Sequence, residues 1–187
     1  MTRHQPLSPA IAWPAVARCF GSSVMMLLRG QVRCPRDNLD RTIRFADGTT
    51  GRVYRETAVH RPVAEPCVLV VSFRLRGIRG RGHTLFRWES ILNTPLFVGF
   101  PGFVSKLWLA HDAHSVYRGL YEWDGSARAE HYARSLWRVL ALISERESID
   151  FRVFPGLSRD EVLAEPDVLA EYAASEQDPW WRVVAAG

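Results

Sequence analysis

From Cys67 onward the spacing of apolar residues switches between every second position and every third or fourth, in a fixed order that leaves few architectures open. Cys67 to Arg76 alternates strictly. Leu69, Val71, Phe73 and Leu75 share one face of a strand, and Val70, Ser72, Arg74 and Arg76 share the other. A glycine–arginine loop from Gly77 to Gly82 leads into a helical pattern from His83 to about Thr94, with Leu85, Trp88 and Leu92 on one stripe; Pro95 stops it. Phe103 to Ala110 reads as a strand, His111 to His114 as a reversal and Val116 to Trp123 as the returning strand. After an Asp124-Gly125-Ser126 turn, Ala129, Tyr132, Ala133, Leu136, Leu140 and Ile143 mark the buried stripe of a helix, and Ser148 to Phe154 is a last strand.

That succession, over residues 67–165, predicts an α+β fold with a ferredoxin-like βαββαβ core, both helices lying on one side of a four-stranded antiparallel sheet. The other side of such a sheet is bare. Pairing with a second copy would cover it, so a homodimer forming a dimeric α+β barrel is expected. Residues 1–66 read as an N-terminal helix plus β-hairpin extension. The helix runs from Trp13 to about Gln31 with a break near Gly21, and the strands Arg41 to Ala46 and Arg52 to Val59 flank Asp47-Gly48. Residues 166–187 read as a C-terminal docking segment in which Trp180 and Trp181 would seat on a partner subunit or on the N-terminal helix.

Charge and targeting narrow the class. The net charge is +4, and Lys106 is the only lysine among 24 basic residues. Acidic residues are interspersed and no basic run appears, so no nucleic-acid partner is expected. The apolar stretch Ile11 to Leu28 is interrupted by Pro14, Arg18 and Gly21, which reads as a packing helix and no membrane partner. Cys19, Cys34 and Cys67 form no C-x-x-C pair, and reduced thiols in a cytoplasmic protein are the expectation.

Several segments carry a resemblance. Gly99-Phe-Pro-Gly-Phe-Val-Ser-Lys-Leu-Trp108, Gly119-Leu-Tyr-Glu-Trp123, Ala129 with Tyr132, and Phe151-Arg-Val-Phe154 resemble the YdhR-type mono-oxygenases of the dimeric α+β barrel superfamily. The likeness spans about residues 67–165 and rests on structural positions. It implies the dimeric barrel and an oxidoreductase activity. Haem-degrading members of that superfamily have an asparagine in the first strand where Ser72 stands here, so no haem is expected; flavin and nicotinamide fingerprints are also missing, and the cofactor expectation is none.

Candidate site residues follow from strand parity. Lys106 and Trp108 share a face, as do Tyr117, Tyr121 and Trp123, although sequence leaves open whether the two sets face the same way. If they do, an aromatic pocket with one cation results, and these residues, with Arg74 and Trp88, become candidate substrate contacts. His131 on the second helix is the leading acid–base candidate, with Tyr121 and His83 beside it as catalytic candidates. His111 and His114 flank Asp112 too tightly for a tetrahedral metal site, so no metal is expected. The Gly77 to Gly82 loop reads as a lid or a solvated connection. No nucleophile motif appears. The expected function is a cofactor-independent mono-oxygenase acting on an aromatic or polyketide-like metabolite; the alternatives are a cofactor-free cyclase or isomerase and a non-catalytic small-ligand-binding dimer.

Overall fold

The computed structural model describes residues 5–77, 93–173 and 179–187. Helix α1 (Pro9–Leu28) is followed by strands β1 (Val32–Arg33), β2 (Thr42–Phe45), β3 (Thr50–Val59) and β4 (Pro66–Arg74). Strands β5 (Phe103–Leu109) and β6 (Val116–Asp124), helix α2 (Ser126–Ile143), strand β7 (Asp150–Pro155), helix α3 (Arg159–Ala164) and strand β8 (Val183–Ala186) complete the order. All strand pairings are antiparallel, in the order β7-β4-β6-β5-β3-β2-β8, with β1 on β3.

This eight-stranded sheet curls into a half-barrel and corrects the expected ferredoxin-like βαββαβ core with its dimeric barrel. The N-terminal hairpin joins this sheet, with β3 pairing along β5 from Val53 to Ala58. Register shifts between Val53 and Arg55 and between Phe103 and Ser105 mark irregularities of the kind that tighten a sheet's twist.

The sheet carries a core on each face. On one, Leu69, Val71, Tyr121, Trp123 and Phe151 pack under α2 through Ala129, Tyr132, Ala133 and Leu136, with α1 added through Ala15, Val16 and Cys19. On the other, Val68, Val70, Leu107 and Leu120 are wholly buried by the chain's own C-terminal third: Val162 and Leu163 of α3, then Leu169, Trp181 and Val183. This second core removes the physical reason for a face-to-face dimer, since the side expected to be bare is already covered. Burying each Leu or Val side chain is worth about 1.5–3 kcal/mol, so a chain able to cover this face itself gains many kcal/mol by doing so. Trp181 accordingly docks on Phe154 of its own sheet, ring centres 4.8 Å apart, instead of on a partner or on α1.

Helix α1 runs without the expected break at Gly21. Ser23 lies within it, and its Oγ accepts from the Gly99 N–H at 2.7 Å. A Cβ at Gly99 would collide with the backbone of Cys19 and Ser23, so glycine is what lets this loop touch the helix. By length and composition α1 would suffice to cross a membrane, and its outward side keeps Trp13, Phe20 and Leu28 exposed. The expected first core helix, His83 to Thr94, falls mostly outside the described residues; Thr94–Leu96 forms a 3-10 turn.

Candidate functional site

The register of β5 against β6 answers the question that parity left open. Lys106 lies opposite Tyr121 and Trp108 opposite Gly119, so both sets point to the α2 side. Gly119 has a local purpose: a Cβ there would sit 2.6 Å from the Tyr121 ring, so the missing side chain lets that ring lie back along its strand.

Lys106 ends inside a cage of rings. Its Nζ is 3.2 Å from the centre of the Trp108 ring and 4.7 Å from those of Phe97 and Tyr121. Trp108 is held in place from several directions. Its indole N–H donates to Thr57 Oγ1 at 3.1 Å, Phe97 meets it edge-on at 5.3 Å, and the Arg55 guanidinium carbon lies 5.5 Å from its centre. Arg55 in turn donates to Thr94 Oγ1 at 2.9 Å.

A cavity of about 50 Å³ opens beside the cage, lined by Phe73, Phe97, Lys106, Trp108 and Tyr121 below and by Leu136, Val139, Leu140 and Ile143 of α2 above. Leu136, Leu140 and Ile143 belong to the apolar stripe read in the sequence. Phe97 and Arg55 are not among the candidate site residues read there. Phe97 follows a proline turn without periodicity, and Arg55 reaches the site only because β3 pairs with β5, which no local signal announces.

Burial displaces the pKa of two groups here. Burial, and next the nearby Arg55 charge, hold the Lys106 amine well below the usual lysine range. Attraction to the rings opposes this, but it contributes roughly 0.5–2 kcal/mol, whereas taking an ammonium out of water costs several. Burial wins, and the amine is held towards its free base. Among the described residues no carboxylate pairs with Lys106. Tyr121 is pushed up by burial, more than the Tyr132 hydrogen bond lowers it, and so stays a neutral phenol. The Tyr132 hydroxyl donates to the Tyr121 oxygen at 3.2 Å, which leaves the Tyr121 proton to be given elsewhere.

The other sequence candidates lie elsewhere. Trp123 is wholly buried against Phe103 and Tyr132, with ring centres at 5.6 and 4.7 Å, and is core. Tyr117 stacks on Phe73 at 5.7 Å near Leu75, away from the cage. Arg74 pairs with Glu145 at 3.5 Å on the surface. His131 is exposed on α2 and lines a separate recess of about 270 Å³ with Arg18, Cys19, Gly99 and Phe100. His83, Trp88 and most of the Gly77 to Gly82 loop lie outside the described residues. In the His111 to His114 turn, Asp112 accepts from the His114 and Val116 N–H groups at 2.8 and 3.0 Å and pairs with Arg118 at 2.7 Å, which occupies it as a structural anchor. Among the described residues no three His, Cys, Asp or Glu gather where a metal could sit.

Comparison of the chain with family models, curated proteins and solved structures returns no match.

Proposed function

We propose that the chain takes up a small, largely apolar molecule in the cavity between β5, β6 and α2, with Lys106 and Tyr121 as the polar groups that orient it. The observation that carries this reading is the chain's single lysine, buried without a carboxylate partner among the described residues and facing a ring-walled cavity. Burying an amine with no carboxylate partner costs stability, and apolar walls with few polar groups are what small-molecule sites share.

Size selects the ligand class. The cavity, about 50 Å³, is several times the roughly 10–15 Å³ that a single water needs, yet far below the roughly 300–1,000 Å³ of drug-sized sites. A molecule of a few heavy atoms fits these walls better than a polyketide does. The oxygenase reading that used His131 as base finds no support in this arrangement, because His131 opens into a different recess.

The test is an NMR titration of the Trp108 indole N–H with 1-propanol and propanal, in the parent chain and in Val139→Phe. Saturable shifts in the parent, lost in the variant that fills the cavity, support the reading. Equal response of both proteins, or of neither, overturns it.

A further inference from the structure

We propose that Lys106 captures carbonyl compounds: its Nζ adds to a small apolar aldehyde or ketone in the cavity and forms an imine, while the Tyr121 hydroxyl donates a hydrogen bond to the carbonyl oxygen. The proposal rests on the cavity being a small-molecule site and adds to it the substrate class and the reaction.

The geometry supplies the parts. Lys106 is 7% exposed, its Nζ lies against the Trp108 face, and the residue lines the cavity beside the cage. Tyr121 stands directly opposite on the neighbouring strand and lines the same cavity. Because Tyr132 already donates to its oxygen, Tyr121 is polarised and keeps its own proton for a ligand. The depressed lysine basicity described above favours the form of the amine that holds a free lone pair, as nucleophilic lysines require.

The step balances without an oxidant, a reductant or a metal. The nitrogen lone pair forms the C–N bond as the carbonyl π pair moves to oxygen. That oxygen takes the Tyr121 proton, and Tyr121 is restored by a proton from the new N–H₂⁺ group, giving a neutral carbinolamine. The C–O bond then breaks, and the remaining nitrogen proton leaves with the hydroxyl as water. The products are the imine and one water, so two N–H hydrogens and the carbonyl oxygen are all accounted for.

A single lysine makes the test specific, since only Lys106 and the α-amine can be reductively alkylated. Propanal and cyanoborohydride at pH 7, followed by peptide mass spectrometry, read the propyl adduct on the Lys106 peptide. An unfolded lysine with pKa near 10.4 is only about 0.04% free base at that pH. The folded chain is therefore expected to label at least about tenfold faster than the same chain in guanidinium, and Tyr121→Phe is expected to slow folded labelling by about tenfold while leaving the unfolded rate alone. Folded labelling slower than unfolded overturns the proposal, because burial is then only protective. If propanal and 1-propanol both shift the Trp108 indole signal but no adduct forms, the imine falls and the binding site stands. If neither shifts it, both fall.

Discussion

Lys106 and Tyr121 face each other across the β5–β6 ladder, the lysine Nζ lying 4.7 Å from the centre of the tyrosine ring. An amine of lowered basicity thus sits beside a phenol of lowered acidity, and burial is the leading cause in both. Burial favours the uncharged form of each, which is how a largely apolar surround can hold them.

The first prediction concerns pH. The folded-state lysine pKa is depressed, so between that value and the unfolded value of about 10.4 the unfolded chain binds one more proton than the folded chain. Stability from this group therefore rises with pH across that window, with a limiting slope of about 1.4 kcal/mol per pH unit. Cys19 and Cys67, raised by burial, pull the other way as unfolded thiols ionise. Denaturant melts of the parent and Lys106→Met at pH 7 and 9.5 separate the two: the parent gains on the variant as pH rises.

The tyrosine pair predicts a non-additive cycle. Tyr121→Phe strips the acceptor from the buried Tyr132 hydroxyl, at a cost of about 1–3 kcal/mol for the orphaned group. Tyr132→Phe loses a donor only, about 1 kcal/mol. The double variant is expected to be less destabilised than the sum, since no hydroxyl is left stranded. Urea denaturation of the four proteins measures the coupling.

Arg118 ties three distant parts together. It pairs with Asp112 at 2.7 Å and Asp47 at 2.8 Å, and its Nε donates to the Trp180 carbonyl at 3.3 Å. The side chains of Arg118 and Asp112 are 4% and 2% exposed, so Asp112→Ala leaves a buried guanidinium short of a partner. The expected loss is about 3–5 kcal/mol, visible in denaturant melts, with Trp181 fluorescence shifting as the C-terminal third loosens.

Helix α1 predicts opposite outcomes on its two sides. Ala15 is buried against α2 and the Gly99 loop, and Ala15→Asp would put an unpaired carboxylate there, enough to undock the helix. Phe20 is half exposed, and Phe20→Gln should change stability by no more than about 0.5 kcal/mol. Thermal melts of both variants check the orientation.

Much of the local structure was legible. The strands Phe103–Leu109 and Val116–Asp124 and the helix Ser126–Ile143 fall within a residue or so of their sequence-based limits, because period, turn residues and caps are local signals. The shared face of Lys106, Trp108 and Tyr121 depends on pairing register, which strand parity alone leaves open. What the sequence did not disclose was long-range. Nothing near Val183 indicates that it pairs in the strand beside Phe45, or that Leu163, Leu169 and Trp181 will roof Leu107 and Leu120. The expected sheet is too small for that reason, and its bare side follows from seating residues 166–187 on a partner or on the N-terminal helix.

The roof has a consequence for synthesis. Strands β4, β5 and β6 leave the ribosome well before Trp181 and Val183, which complete the cover over Val68, Val70 and Leu107. During translation this greasy underside stays open to solvent and to other nascent chains, which is when such surfaces aggregate. Slow elongation after residue 124, or a stop before β8, would lengthen that exposure and raise the chain's dependence on chaperones.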